Sequence, residues 1–480
     1  YATVIAPNVM LLANAITHGN GGNVIVWSDY ATKAFGNINV QGGASSGNGG
    51  FVETSSHHYL NVNGIKVNAS ATNGAKGTWL LDPEDVYITA TAPTTGGSFN
   101  GANPNIFTPT SDDSNLYNQD IIDNLNTANV VITTGATGSQ NGDIYVNAPI
   151  TWANDNSLTL SAFGSIILNS DITNTGNANV VLRSDNTGTG IGTVCGAGSS
   201  FCGGAATGVV NLTGGQVSVY YNPSVFGTQD VIYGGGTAPI AYMLVNNTTD
   251  LQNIDLTPAS STENYALGKN LDLAAITNFA PLGAFSGRFD GLNNTLGNLT
   301  INDSTPAAGF GLFSNTNGGA VISNLTLSNI SFTLTGDGLN VGGLIGGASN
   351  TTIQNVNVDG VISLSGNINS QNTGGIIGNA DNSTVISNVS SAVDIDINVD
   401  DIVSGYAAIG GIVGYNNAAI SNAIFTEAGS ISFVATSNTS GLDLGGITGY
   451  SNNAKFLNVT NEADLTVNTA LSDATETIGG

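Results

Sequence analysis

Short apolar runs separated by glycine and asparagine recur along the chain. Over residues 1–90 they read Val24-Ile25-Val26-Trp27, Ile38-Asn39-Val40, Phe51-Val52-Glu53, Tyr59-Leu60-Asn61-Val62 and Trp79-Leu80-Leu81. The separators are Gly19-Asn20-Gly21-Gly22, Gly42-Gly43 and Gly47-Asn48-Gly49-Gly50. Brief β-branched and aromatic runs bounded by such residues predict strands. No consistent two-residue hairpin joins them, so a parallel coil with three short strands per turn explains the spacing better than a sandwich. Glycine and asparagine suit the corners because both tolerate left-handed backbone angles. The pattern resumes over residues 129–235, in Val130-Val131-Ile132, Ile144-Tyr145-Val146, Leu158-Thr159-Leu160, Ile166-Ile167-Leu168 and Val180-Val181-Leu182. Between these stretches, residues 91–128 read as loop followed by helix. Pro93, Pro104 and Pro109 mark the loop, and Ile121, Ile122 and Leu125 share one helical face over residues 118–128. Residues 236–305 form a connecting region with a short helix near Asp250–Ile254.

Residues 306–480 are repeats. Gly342-Gly343-Leu344-Ile345-Gly346 returns as Gly374-Gly375-Ile376-Ile377-Gly378, Gly410-Gly411-Ile412-Val413-Gly414 and Gly445-Gly446-Ile447-Thr448-Gly449, with Gly311-Leu312-Phe313-Ser314 as a fainter copy. An asparagine follows each copy inside an apolar pair: Asn324, Asn355, Asn388, Asn422 and Asn458. A period near 35 residues without a helix-forming stretch predicts stacked β units, each burying one apolar stripe against the next. The fold class is therefore all-β, a parallel β-helix or solenoid with minor helical decoration. At roughly twenty residues per coil and about 4.8 Å between coils, the expectation is a rod on the order of 100 Å long. The five asparagines either form a hydrogen-bonded ladder or simply fill turns.

Composition narrows the function. Lys and Arg number 7 against 33 Asp and Glu, a net charge of −26, and only 8% of residues are charged. So few cations cannot neutralise a phosphate backbone or an anionic membrane, which excludes nucleic acid and membrane insertion as partners. No apolar stretch reaches transmembrane length. Cys195 and Cys202 are the two cysteines, within one Gly/Ser-rich loop, and read as a local disulfide in preference to free thiols. A disulfide implies an oxidising, non-cytosolic setting. The opening Tyr1-Ala2-Thr3-Val4 lacks a basic segment followed by an apolar one, so the chain reads as a processed or internal piece.

Four pieces carry a resemblance. Gly21-Gly22-Asn23-Val24-Ile25-Val26-Trp27-Ser28-Asp29, Gly36-Asn37-Ile38-Asn39-Val40-Gln41-Gly42-Gly43, Gly49-Gly50-Phe51-Val52-Glu53-Thr54-Ser55 and Gly77-Thr78-Trp79-Leu80-Leu81-Asp82-Pro83-Glu84-Asp85-Val86 resemble, in order and spacing, the filamentous-haemagglutinin-like exoproteins of bacterial two-partner secretion. The stretch from Tyr242 through Phe289, with the Gly-Gly repeats after it, is similar to the region called GLUG in bacterial surface adhesins and peptidases. The resemblance implies a right-handed parallel β-helix at the outer surface of a Gram-negative cell and export through an outer-membrane pore partner. It also implies adhesion, aggregation or biofilm as the role. Host or matrix glycans, or further copies of the chain, are the partners it suggests. The family's N-terminal secretion domain is absent, and Asn103-Pro104-Asn105 stands in the wrong context for its Asn-Pro-Asn signals.

Candidate chemistry is weak by comparison, and the chain reads as non-enzymatic, with no cofactor and no metal. His57 and His58 are adjacent, so on a strand they face opposite ways. His18, Arg183, Arg288 and Lys269 have no acidic cluster beside them in sequence. Asp112-Asp113 and Asp400-Asp401 read as solvated turns, because no calcium-loop spacing accompanies them. Acceptors of the Asn-x-Ser/Thr type include Asn68, Asn211, Asn247, Asn298, Asn324, Asn329, Asn388, Asn438 and Asn458, so glycosylation is a further expectation. Tyr30, Tyr220, Tyr221 and Tyr415 are candidates for stacking on sugars, with rung packing as the alternative. Two roles remain open at this level, a receptor-binding adhesin and a self-assembling filament.

Overall fold

The computed structural model describes residues 2–92, 97–99, 107–109, 113–135, 140–255, 260–303, 309–336, 339–366, 368–399, 402–435, 441–469 and 476–479. Pro93, Asn103-Pro104-Asn105, Asp112, Asp400-Asp401 and Asn438 lie outside them. The chain divides into two compact units, Tyr1–Val225 with Gln229–Leu244, and Phe226–Thr228 with Val245–Gly480. Both are parallel β-solenoids. Among the described residues the strand pairings are parallel except one, Gly97–Phe99 with Phe107–Pro109.

In the first unit, one ladder runs through Asn23–Ser28, Phe51–Ser56, Thr78–Asp82, Asn129–Thr133, Leu158–Ser161, Val180–Arg183 and Val217–Tyr221. The register lines up Val24, Val52, Trp79, Val130, Leu158, Val180 and Val217 in one inward column. A second inward column holds Val26, Thr54, Leu81, Ile132, Leu160, Leu182 and Val219. Alternation along each strand sends the residues between them outward. The one polar member of the second column is satisfied by its neighbour: Trp79 Nε1 donates to Thr54 Oγ1 at 3.1 Å, with both side chains buried. The Trp-Leu-Leu-Asp-Pro phrase therefore supplies a core plug that also neutralises a buried hydroxyl. Helix α1, Asn118–Leu125, is shorter than the 118–128 expected, and it buries Asp120, Ile121, Asn124 and Leu125. Ile122 is only half-buried, because Asn124 occupies the inner face and accepts the Val67 N–H at 2.6 Å.

In the second unit each coil has three legs. A short strand ends on the first glycine of a repeat, as Asn340–Gly342 does. The chain turns through the second glycine into another short strand, Ile345–Ala348, and then into a long bent strand, Thr352–Ser365. Ile322, Ile353, Ile386 and Ile420 stack in register. Phe332, Ile362, Ile395 and Ile431 do the same on the far leg. Each such residue is wholly or almost wholly buried, a gain of about 1.5–3 kcal/mol per side chain.

Coils of the first unit exceed the twenty residues expected, while those of the second match the period near 35. From Val52 to Trp79 is 27 residues (79 − 52), and from Ile353 to Ile386 is 33 (386 − 353). In the first unit the extra length lies in the corners, as in residues 69–77 between Lys66–Asn68 and Thr78–Asp82. Residues 236–305, expected as a connecting region, carry ladder strands themselves. Ile240–Val245 pairs with Val217–Tyr221, and Asn264–Leu267 pairs with Arg288–Asp290. Helix α2, Thr248–Gln252, is capped by Asn247, which accepts the Asp250 N–H.

Candidate functional site

The repeat glycines sit where successive coils touch. Gly342, Gly374, Gly410 and Gly445 pair with one another in register. Gly343, Gly375, Gly411 and Gly446 form the corner that follows. None of these takes a left-handed angle. At Gly342, Gly343, Gly374, Gly375, Gly410 and Gly411 the neighbouring backbone is too close for a side chain, while at Gly446 the Asn461 side chain fills the space instead. A Cβ on Gly342 would lie 2.5 Å from the Ile376 carbonyl oxygen, one on Gly374 2.7 Å from that of Ile412, and one on Gly343 2.7 Å from that of Gly375. Gly346, Gly378, Gly414 and Gly449 meet main-chain atoms at similarly forbidden distances. In the first unit the corners are mixed: Gly19 and Gly47 adopt φ of 107° and 120°, whereas Gly49 and Gly77 are crowded by the backbone of the adjoining coil.

The asparagines form a hydrogen-bonded column. Asn355 Nδ2 donates to Asn324 Oδ1 at 2.9 Å, Asn388 to Asn355 at 3.3 Å, Asn422 to Asn388 at 2.9 Å and Asn458 to Asn422 at 3.1 Å. Asn324 itself donates to Asp290 Oδ1 at 3.0 Å. All five asparagines are left-handed, with φ between 50° and 55°. That conformation bends the long strand, and asparagine is the non-glycine residue that adopts it at least cost. One residue type thus turns the corner and ties it to the next coil. A shorter column repeats the device at the second bend, where Asn329 donates to Asn298 and Asn298 to Asp272. The first unit uses a variant: Asn20 Oδ1 accepts the Asn48 N–H and Asn48 Oδ1 accepts the Ala75 N–H, at 2.8 and 2.9 Å.

Beside these corners, the outer face of the second unit holds a polar groove of about 620 Å³, lined by Ala284, Asn315, Asn340, Gly347, Asn379 and Asp381 among others. The register places Asn315, Gly347, Asn379, Tyr415 and Tyr450 in a single outward column, one per coil. Tyr415 and Tyr450 stack with centroids 4.9 Å apart and planes 24° from parallel. Tyr406 meets Tyr450 edge-on at 5.5 Å. At the rim, burial works against the charge on Asp381, but hydrogen bonds from Ser349, Asn350, Ser383 and Thr384 outweigh it and hold the carboxyl down to about 2. These groups occupy both carboxylate oxygens. Sequence reasoning singled out Tyr415 but missed Asn315 and Asn379. Each directly follows a repeat phrase, at the offset that Gly347, Tyr415 and Tyr450 share, so aligning the phrases would have placed them in one column.

The other candidates separate. Cys195 and Cys202 are joined in a disulfide with Cα atoms 6.1 Å apart. Tyr220 and Tyr221 are buried, Tyr220 stacked on Tyr242, so they pack rungs. His57 and His58 do face different neighbours: His57 meets the edge of Trp27, and His58 packs on Tyr30 with Nδ1 3.2 Å from Glu84 Oε1. Arg183 donates to the Asn186 carbonyl. Of the expected glycosylation acceptors, Asn298, Asn324, Asn329, Asn388 and Asn458 are engaged in the amide columns. Among the described residues there is no group of three or more His, Cys, Asp or Glu placed to hold a metal ion, and no helix long and apolar enough to cross a membrane.

No protein-family model matches the chain. A curated relative, Halomucin of Haloquadratum walsbyi, is 31% identical over 171 residues, which is 33% of this chain and 2% of Halomucin's own length. The chain thus corresponds to a small fraction of that protein.

Proposed function

We propose that this chain is an extracellular, non-enzymatic β-solenoid, displayed on a cell surface or secreted, that serves adhesion or the building of a matrix. The observation that carries the reading is the division of labour between the faces of each coil. Inward columns are apolar and corners are locked by glycine contacts and amide hydrogen bonds, so stability does not depend on what the outward positions are. Those positions recur once per coil in fixed register, which is how a scaffold presents a repeated binding surface. Two further points support it. The chain is similar in part to a protein that carries a mucin's name, and the disulfide fits an oxidising compartment. Export through a two-partner-secretion pore of a Gram-negative cell remains part of the proposal and rests on the resemblance of residues 21–86.

The test is to label intact cells that produce the full protein with antibody against this chain and to measure adhesion of beads coated with it. Surface labelling and adhesion above an uncoated control are expected. Confinement to the cytosol with both thiols reduced would refute the reading.

A further inference from the structure

We propose that the outer groove of the second unit is a binding site for a neutral, linear oligosaccharide laid along the direction in which the coils stack. This deepens the adhesive reading and rests on it for its biological purpose, though not for its chemistry. Asn315 and Asn379 lie in one outward column with Gly347 between them. Two coil spacings separate them, about 9.6 Å. Asparagines at the corners of these repeats are bonded to one another: Asn324, Asn355, Asn388, Asn422 and Asn458 in one column, and Asn372 to Asn340 beside the groove. The side chains of Asn315 and Asn379 have no hydrogen-bond partner among the described residues. Each therefore offers two donors and an acceptor to whatever enters.

Gly347 makes the notch between them. An added Cβ there would meet only the Asn315 Oδ1, at 2.7 Å, and no main chain. This glycine is not forced by backbone contact as the repeat glycines are, and what its missing side chain leaves is space. The aromatic wall follows in the same column. Tyr415, in register with Asn379 just beyond the groove lining, stacks on Tyr450 one coil further on. Tyr406 braces Tyr450 edge-on, which fixes the pair. Amides spaced along a groove with a rigid aromatic face at one end match the hydroxyls and the apolar C–H face of a pyranose chain.

Charge decides which sugars. The carboxylate of Asp381 lines the groove and stays ionised, held down to about 2. The lining includes no Lys or Arg. A polyanion would be repelled, on a chain of net charge −26. A bound cation is disfavoured as the alternative, because Ser349, Asn350, Ser383 and Thr384 already occupy both Asp381 oxygens.

The experiment titrates the full chain with cello-, malto- and chito-oligosaccharides and, in parallel, with alginate and hyaluronan fragments, by calorimetry. At least one neutral series should bind, and the acidic fragments should not. Asn379→Ala and Asn315→Ala should each weaken binding about fivefold to tenfold, and Gly347→Leu should abolish it, all three with the parent's melting temperature. Tyr415→Phe should retain binding, and Tyr415→Ala should lose it. Failure of every neutral series, preference for the acidic fragments, or unchanged affinity in both Asn379→Ala and Gly347→Leu would each overturn the proposal. If Gly347→Leu fails to fold, the two alanine variants decide alone. The groove and the adhesive reading part company cleanly. Groove binding without bead adhesion removes only the adhesive role, while adhesion without any neutral-sugar binding removes only the groove.

Discussion

Asn388 shows how much one residue does in this fold. It sits at φ 53°, donates to Asn355 and accepts from Asn422. Alanine there loses both bonds and must still adopt the left-handed angle, about 1–2 kcal/mol of strain on top of about 1 kcal/mol per bond. Glycine loses the same bonds but not the angle. Asn388→Ala should therefore destabilise the second unit more than Asn388→Gly, and urea unfolding of the pair measures the difference. Equal losses would show that the amide column, not the bend, dominates. The opposite logic governs Gly374, whose problem is space rather than angle. A Cβ there would be 2.7 Å from the Ile412 carbonyl oxygen, so Gly374→Ala should cost about 2 kcal/mol or more in the same assay. Gly347→Ala, with only a side-chain tip to push aside, should cost far less.

At the scale of the element, the inward strands were legible because their period is two and their register repeats. Leu158-Thr159-Leu160 and Val180-Val181-Leu182 bury alternate residues as that period requires, whereas in Ile386-Ser387-Asn388-Val389 the left-handed Asn388 sets the buried Ile386 and Val389 three apart. The interiors of coils that carry no repeated phrase were less legible. Coil length was underestimated in the first unit, since a leg such as Asn37–Asn39 is too short to show alternation. The ladder and the turn-filling alternative for the five asparagines proved to be one arrangement, because a left-handed angle and an amide bond to the next coil use different parts of the same residue. The groove was missed because attention stopped at the repeated phrase, whereas Asn315, Gly347 and Asn379 sit one position past it and vary from copy to copy. Stacking also fixes how damage spreads. Leu344 is fully buried, and its N–H donates to the Ile376 carbonyl at 3.0 Å. Leu344→Asp places an unpaired carboxylate inside that column, and since each coil is stabilised by its neighbours, the coils on both sides should lose order together. Hydrogen exchange should show lost protection across 312–313 and 376–377 as well as at the mutated corner. Loss confined to residues 342–346 would contradict column-wise cooperativity.

Across the whole molecule, charge and burial pull stability in a common direction as the pH changes. Burial raises the carboxyl of Asp82, with Glu53 adding to it, and burial likewise raises Asp85 and Asp120. For each of these, the folded chain holds a proton at a pH where the unfolded chain has lost it, so stability falls as pH climbs from 3.8 through the raised value. Asp381 works in reverse: depressed to about 2, its contribution is complete above 3.8 and disappears as pH drops toward 2. Self-repulsion among 33 acidic residues also eases on mild acidification. The melting temperature should accordingly rise as pH is lowered from 7 toward 3.8, where the raised carboxyls regain their protons, and decline as it falls further toward 2, where the contribution of Asp381 is lost. Net charge alone would produce the first half of that profile, so a paired substitution has to separate the two causes. Asp82→Asn and Glu427→Gln each remove one negative charge, but Glu427 is exposed, whereas Asp82 is half-buried on a ladder strand opposite Ser55 and feels the charge of Glu53. The three tryptophans, Trp27, Trp79 and Trp152, all belong to the first unit, so their fluorescence follows unfolding where Asp82 resides. Asp82→Asn should raise that transition at pH 7, with the advantage shrinking as pH approaches 4, whereas Glu427→Gln should leave it unmoved. Matching shifts from both would assign the pH dependence to overall charge and deny a special cost to the buried carboxylate.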